Sequence, residues 1–372
     1  MDKKNIVICV WNDIDKDDRV MKKAITLSKK FNVIVKSVCK CKKADTNPRE
    51  NKFVRIVNDN LIIEYYWFNS FFEWLYYRLI DNKNFWSDKI TDADMYDCND
   101  PDTLCAGVFA KEKYNSKILY DSHEFWQGTR RKEYNLLYTI YSYIGNTIQY
   151  HREKSLVHNV DGITTVSESI ANILRYKYNK PVCVIENRAT LNKYRIGNYE
   201  NTKIPSANAV FFGAKIRPGT IDTLLALKKE GFKPMIIGDY SNDKLTDLGI
   251  ECLGFLDKDS YQKELAKSCV AVLDFEVTCD NIKYCLPNKL FEYIQAGIPI
   301  IANDRLFDVS RFIKDKKIGV VCNVYNRKDK IREIITEYHK YRHNINNISY
   351  EYSWENQEKQ LLSYYSLFMD VE

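Results

Sequence analysis

A chain of 372 residues, with 45% hydrophobic and 28% charged residues, has the balance of a globular protein, and at roughly 150 residues per domain it is long enough for two. That excludes a disordered tail, a collagen and a small disulfide scaffold. Lys plus Arg number 56 against 50 Asp plus Glu, a net charge of +6, which permits a basic cleft for phosphates or contact with an anionic membrane without requiring nucleic acid. The 11 cysteines include no C-x-x-C pair, and Cys39 and Cys41 stand too close together for a zinc knuckle. The apolar run at the amino end, about six residues, is shorter than the h-region of a secretory signal. No stretch approaches the roughly 18 apolar residues of a membrane span. The expected location is cytoplasmic, with reduced thiols.

In chain order, residues 5–11 read as a buried strand. Residues 18–30 read as a helix with Val20, Ala24, Leu27 and Ser28 on one stripe, and 32–38 as a second strand. A strand-helix-strand unit of this kind implies a parallel sheet with a crossover helix. Further strands are predicted at 53–57, 61–65, 93–97, 117–121, 161–166 and 182–186, and helices at 69–82, 101–113, 132–157 and 167–177. Residues 187–206 are polar and aperiodic, ending on Pro205 and Ser206, and read as a linker. Alternation then resumes, with strands at 208–213, 233–238, 250–254, 270–275, 298–302 and 318–322. Helices are predicted at 219–230, 259–267, 288–296, 305–313 and 326–342, and a last one near 353–369. Two alternating halves point to an α/β chain of two doubly wound domains, with ligands expected beyond the carboxyl ends of the strands.

The segment Leu286–Pro299, LPNKLFEYIQAGIP, carries the strongest local signal. Asn288 is a cap candidate and Lys289 falls in the first helical turn. Lys289 and Glu292, three apart, share a face near the helix amino end. A helix amino terminus with an adjacent ammonium suits a phosphate, and a carboxylate one turn further in can accept from paired sugar hydroxyls. The plainer reading is a capped helix with a surface Lys-Glu pair.

Pro287-Asn288-Lys289-Leu290-Phe291-Glu292-Tyr293, followed by Ala296-Gly297-Ile298-Pro299, resembles the nucleotide-binding segment of GT-B glycosyltransferases. It is closest to family four of the nucleotide-sugar-dependent enzymes. Asp18-Arg19-Val20, Tyr120 to Glu124, Asp161 to Ser167, Phe212 to Gly219 and the final helix from Tyr352 resemble further family segments in the expected order. The resemblance spans nearly the whole chain. It implies two Rossmann-like domains facing a cleft. Residues 1–190 would form the acceptor side and 203–345 the nucleotide-sugar domain, with a terminal helix over 350–372 crossing back to the first.

The resemblance further implies transfer of a sugar from a nucleoside diphosphate to a hydroxyl of a glycan or lipid-linked acceptor, as in hexosyltransferases, with no cofactor and no metal. Arg217 and Lys289 would neutralise the leaving diphosphate, the first as a fork and the second as a point charge. Gly213 would let backbone amides approach the phosphates, Asn288 would open the phosphate-facing helix, and Glu292 would hold the ribose. His123 would hydrogen-bond or stabilise charge at the donor sugar, with Glu124 or Asp18 as general base. Arg19 would reach the acceptor side or else cover the sheet edge; Glu124, Asp18 and His123 each also read as ordinary strand-end or helix-end residues.

The chain departs from family four at Tyr284, where a first glutamate would precede Glu292 by eight positions. A second departure is Trp11-Asn12-Asp13-Ile14-Asp15, which replaces a glycine-rich loop. The D-x-D copies at Asp15, Asp92 and Asp257 are short enough to recur by chance. Aromatic stretches at 65–79 and 138–154, with Arg78 and Lys83, suit either a peripheral membrane face or buried packing. No basic, aromatic-interleaved strip for nucleic acid stands out. An epimerase of the same architecture and a catalytically silent partner subunit remain the alternative readings.

Overall fold

The computed structural model describes residues 3–40, 52–129, 136–195, 208–213, 216–238 and 243–369. The chain divides into two compact units, Met1–Glu186 with Glu358–Glu372, and Asn187–Gln357.

The first unit is built on eight strands: β1 (Asn5–Val10), β2 (Asn32–Cys39), β3 (Lys52–Asn58), β4 (Leu61–Trp67), β5 (Met95–Asn99), β6 (Lys117–Ser122), β7 (Gly162–Thr165) and β8 (Val182–Val184). Their order is β3-β4-β2-β1-β5-β6-β7-β8. Every neighbouring pair is parallel except β3 with β4, an antiparallel hairpin at the edge. Its helices are α1 (Asp18–Ser28), α2 (Phe71–Leu79), α3 (Asn82–Ser87), α4 (Leu104–Tyr114), α5 (Leu136–Leu156) and α6 (Glu168–Tyr178). The chain starts mid-sheet at β1, winds out to one edge, and returns to β5 on the other side of β1. That reversal, between β1 and β5, is where an open parallel sheet leaves a crevice at its carboxyl edge.

The second unit repeats the plan with β9 (Asn208–Phe212), β10 (Lys233–Ile237), β11 (Glu251–Cys252), β12 (Val270–Leu273), β13 (Ile300–Asn303) and β14 (Gly319–Cys322), all parallel, in the order β11-β10-β9-β12-β13-β14. Its helices are α7 (Pro218–Lys229), α8 (Asp243–Asp247), α9 (Lys258–Ala266), α10 (Asp280–Tyr284), α11 (Asn288–Ala296), α12 (Phe307–Lys316), α13 (Arg327–Thr336) and α14 (Tyr338–Ile348). A last helix, α15 (Trp354–Ser366), begins in this unit and ends in the first. Alternation along the strands divides the core. Val210, Met235, Ala271 and Ile300 face one hydrophobic cluster, while Phe211, Ile236, Val272 and Ile301 face the other. Both faces are covered, which is why these strands read as continuous apolar runs.

Four sequence expectations change. The helix predicted over 69–82 is α2, and a further helix that the periodicity missed, α3, follows it, anchored by the carbonyl of Asp102, which accepts from both Asn82 Nδ2 (2.9 Å) and Trp86 Nε1 (2.8 Å). The helix over 326–342 is two, broken at Glu337. α10 is a short helix the periodicity missed. Residues 187–195 of the expected linker are built into the second unit: Ala189 lies in its core, Asn192 donates to the Gln262 carbonyl and the Tyr194 hydroxyl reaches Asp259. The rest of that stretch, 196–206, lies outside the described residues.

The departure at Trp11–Asp15 has a physical account. Side chains close the turn in place of glycines. The Ser37 hydroxyl donates to the Asn12 carbonyl and accepts from the Ile14 amide, while Asp13 caps the turn Ile14–Lys16. Trp11 is packed against Phe68, Phe85 and Trp86. Among the described residues, no helix is long and apolar enough to cross a membrane.

Candidate functional site

In the first unit, polar chemistry collects at the carboxyl ends of β5 and β6, beside the sheet reversal. α1 opens at Asp18 because the Asp17 side chain caps it through the Val20 amide. The stripe of Val20, Ala24 and Leu27 turns α1 onto the sheet. That placement also buries Arg19 and Lys23, which must then find partners. Arg19 is only 5% exposed; its guanidinium pairs with Asp121 at 2.7 Å and donates to the Ile185 carbonyl at 2.8 Å. Lys23 Nζ lies 2.6 Å from Asp97, 2.7 Å from Asp121 and 2.6 Å from Asn99 Oδ1. Burial by itself would raise the Asp121 carboxyl, but Arg19, Lys23 and His123 outweigh it and hold it well below the usual range. Burial pushes its neighbour Asp97 up.

His123, just past β6, is held on both edges of its ring. Nε2 lies 3.2 Å from Asp121 Oδ2 and 3.2 Å from Asn99 Oδ1, and Nδ1 lies 3.5 Å from Asp100 Oδ2. Burial acts to lower the imidazole, yet the carboxylates of Asp100 and Asp121 prevail and raise it above its ordinary value. Asp100 adopts φ 62°, ψ 165°, a conformation that costs a side-chain-bearing residue about 1–3 kcal/mol. Its carboxylate accepts from the His123 amide and from Trp126 Nε1, and its amide donates to the Asp121 carbonyl. The backbone is thus held where the Asp100 carboxylate meets the imidazole. The result is an imidazole held between two carboxylates, which favour its protonated form.

The other expected residues of this half lie differently. The Asp18 carboxylate pairs with Lys22 at 2.9 Å. Glu124 is exposed, and its carbonyl accepts from the Ser122 hydroxyl. Arg19 is committed to the interior, so its charge serves Asp121. Lys23, Asp97, Asn99 and Asp100 were not singled out from the sequence. A signal existed in Asp97 and Asp121, carboxylates inside apolar strand runs, since a buried carboxylate demands a cation.

In the second unit the reversal lies between β9 and β12, and the expected nucleotide residues gather there. Gly213 follows β9 directly. Lys289, in the first turn of α11, lays its ammonium over Gly213, 4.6 Å from the centroid of Phe211 and 5.4 Å from that of Phe275. It makes no hydrogen bond or ion pair among the described residues. Burial lowers its ammonium to about 8, with Cys285 weakly opposing. Glu292, one turn on and 6% exposed, accepts from the Tyr261 hydroxyl at 3.0 Å. Tyr261 in turn stacks on Phe212, the last residue of β9, at 4.6 Å. Arg217 caps α7 with its backbone and makes no ion pair among the described residues; Ala214 and Lys215 of the same segment lie outside them.

Asn288 corrects one expectation. The cap position is Pro287, Asn288 is the first helical residue, and no side chain caps α11. Proline lacks an amide hydrogen and Asn288 is exposed, so the first-turn amides of α11 are not capped by a side chain. Tyr284 ends α10 with its ring against Phe307. Asp274, just past β12, is buried and fully engaged. It accepts from Thr223, Asn303 Nδ2 (2.8 Å) and Arg327 (3.3 Å), and its carbonyl accepts from Thr220, tying the first turns of α7 to the strand end.

The D-x-D copies are used structurally. Asp15 accepts from Arg55 and Tyr65, Asp94 from Lys4, and Asp257 caps α9. Among the described residues, no group of three or more His, Cys, Asp or Glu side chains gathers as a metal site.

No family model and no curated protein matches the chain. Solved structures do. A sucrose-phosphate synthase from Thermosynechococcus elongatus superposes with a TM-score of 0.71 at 12% identity, covering 99% of this chain and 100% of that one. The E. coli trehalose-6-phosphate structure bound with UDP-2-fluoro glucose gives 0.64 at 10% identity, covering 96% and 98%. A Listeria monocytogenes UDP-N-acetylglucosamine 2-epimerase structure gives 0.57 at 11% identity, covering 100% and 98%. The chain has the GT-B fold. In GT-B terms, the His123 cluster lies at the sheet reversal of the amino-terminal unit, and Gly213, Lys289 and Glu292 at that of the carboxyl-terminal one.

Proposed function

We propose that the protein is a glycosyltransferase that moves a sugar from a nucleoside diphosphate to a hydroxyl acceptor. One observation carries the reading. Lys289 is a half-buried ammonium lying over a glycine, beside a helix amino end whose cap position is a proline, with no anion paired to it among the described residues. Partial desolvation of an ammonium without a counterion is unfavourable, and a bound diphosphate relieves that cost. Glu292, held by Tyr261, is one turn further along α11 and suits the ribose hydroxyls. Gly213 gives the phosphates room, and Arg217, at the start of α7, suits the terminal phosphate. Lys289 and Arg217 then stabilise the charge that develops on the leaving diphosphate, which is leaving-group catalysis by protein cations. His123, whose protonated form is favoured by Asp100 and Asp121, offers a hydrogen-bond donor or positive charge toward the sugar. Glu124, the exposed carboxylate one residue on, or Asp18 would serve as the acceptor's base.

The test is a thermal-shift series with uridine, adenosine and guanosine diphosphates and their hexose conjugates, followed by an assay of diphosphate release. A selective rise in melting temperature, lost in Lys289→Ala, is expected. No shift with any nucleotide overturns the reading and turns attention to a silent partner subunit. The likeness to the Listeria epimerase structure favours a second reading, rearrangement of the nucleotide sugar itself. Product analysis separates the two: transfer needs an acceptor, whereas an epimerised sugar appears without one.

The acceptor reading extends to a lipid-linked glycan at a membrane surface, which the exposed rings of Phe71, Phe72 and Tyr76 on α2 support. Flotation with anionic vesicles tests it; the protein staying at the bottom of the gradient at low salt removes it.

A further inference from the structure

The chain has 5 histidines, and two of them, His339 and His343, stand one turn apart on α14. That helix forms on a stripe at helical spacing. Tyr338, Tyr341, Arg342 and Ile345 are buried, and the two tyrosines and the isoleucine join the hydrophobic clusters of the second unit. Packing that stripe leaves the other face in solvent, where His339, Lys340, His343 and Asn347 are exposed. Three tethers fix the backbone beneath them. The Tyr341 hydroxyl donates to Glu333 Oε1 on α13 at 2.8 Å, Asn344 Nδ2 donates to the Lys317 carbonyl past the end of α12 at 2.7 Å, and Asn346 Oδ1 accepts from Arg195.

Along a helix, a step of four residues advances about 6 Å and turns the side-chain direction by only about 40°. His339 and His343 therefore present their rings side by side, near enough for one nitrogen of each to bind a single ion at about 2 Å. Both imidazoles are unspent: neither makes a hydrogen bond or an ion pair among the described residues. The His339 ring stands edge-on to that of Tyr338, with centroids 5.6 Å apart, a contact that limits its rotation. Lys340, between the two in sequence, has its charge met by Glu337 at 2.8 Å.

We infer that α14 carries a binding site for a late first-row divalent cation, Ni²⁺, Cu²⁺ or Zn²⁺, with His339 and His343 as its two protein ligands and water in the remaining positions. Two neutral nitrogens select these ions over Mg²⁺ and Ca²⁺, which take oxygen. With two protein ligands the site is weaker than a closed structural zinc site of four. A bound ion clamps successive turns of α14, and because the pairing exists only in the helix, it stabilises the folded chain alone. Neither histidine belongs to the nucleotide or His123 clusters, so the inference is independent of the transfer reaction.

The test is titration calorimetry of the whole chain, free of any histidine tag, with nickel chloride. Saturable binding of one Ni²⁺ is expected, weakened about tenfold or more in His339→Ala and in His343→Ala alike. Ni²⁺ should also raise the melting temperature of the parent and not of either variant. Both residues are exposed, so the metal-free melting temperatures should agree. His339→Ala combined with Asn347→His moves the pair one turn along α14 and should recover the affinity. No saturable binding at about 1 mM Ni²⁺ overturns the site. So does an affinity unchanged in the single variants, which assigns the heat to thiols elsewhere. An affinity not recovered by the shifted pair overturns the helical chelate, and equal affinity for Mn²⁺ overturns the nitrogen ligand set.

Discussion

The Lys289 ammonium rests on Gly213, so closely that a methyl group added at that glycine would meet Nζ. The two residues are 76 positions apart, joined by the β9–β12 reversal, and their contact makes the carboxyl end of β9 a phosphate-sized space under a cation. Gly213→Ala should therefore act through Lys289. The lysine tip is mobile enough to swing aside, so the fold is expected to hold and the melting temperature to change little. Nucleoside diphosphate binding should weaken about tenfold, the equivalent of roughly 1.4 kcal/mol. Calorimetry on the two proteins reads it directly, and unchanged affinity would separate the glycine from the phosphate.

The Lys289 titration sets a pH dependence with a definite sign. Burial lowers the ammonium from 10.5 to about 8. The unfolded chain then binds the extra proton between about 8 and 10.5, so in the unliganded protein this group makes stability rise with pH through that window. Nucleotide binding responds the other way, because the phosphates require the charged form. Diphosphate affinity should fall about tenfold between pH 7 and 9, with a proton taken up on binding at the upper end. Lys289→Arg should flatten the profile, since a guanidinium does not titrate there. A flat wild-type profile would count against a lysine contact.

How much of this was legible in the sequence depended on the range of the forces involved. The apolar run over 208–213 predicted a strand there, and helical spacing set Lys289 and Glu292 on one side of α11, because both are local geometry. The cap at Asn288 failed by one residue, where Pro287 holds extended backbone. The helix Asn82–Ser87 was missed because it is anchored by a remote carbonyl, that of Asp102, which accepts from Asn82 and Trp86. The ring of Lys23, Asp97, Asn99 and Asp121 was hidden because its members come from three elements and meet only when α1 docks on the sheet. Asp97 and Asp121, within the apolar strands β5 and β6, were the visible trace of it.

His123 should titrate above its ordinary value. Its raised value comes from Asp100 and Asp121 overcoming burial, so its contribution to stability is complete below the unfolded value of 6.5 and is lost as pH rises through the folded value. An NMR titration of the imidazole should find a midpoint above 6.5, moved downward in Asp100→Asn. In the proposed reaction, His123→Gln should lower kcat about 100-fold, in keeping with loss of one fixed charge at a reacting centre. The donor KM should change little. A midpoint below 6.5 would mean a neutral ring and remove the charge from the mechanism.

Lys23 offers the sharpest test of the buried ring. It is 1% exposed, and its ammonium is shared by Asp97 and Asp121, so Lys23→Met keeps most of the volume while leaving Asp121 to Arg19 and His123 and Asp97 without its ion pair. Removing one member of a buried ion network costs about 3–5 kcal/mol. If the loss is electrostatic, it must depend on pH. Asp97, already pushed up by burial, takes a proton in the variant and holds it where the unfolded chain has released it. The folded variant therefore binds more protons than the unfolded one, and its stability should fall as pH rises from 5 to 8. Urea unfolding across that range reads the slope. Lys23→Met with Asp97→Asn should recover part of the stability and lose most of the slope, because the second change removes the group that titrates. A deficit independent of pH, unaffected by the second substitution, would assign the loss to packing, and the charges would then not be what ties α1 to the strand ends behind His123.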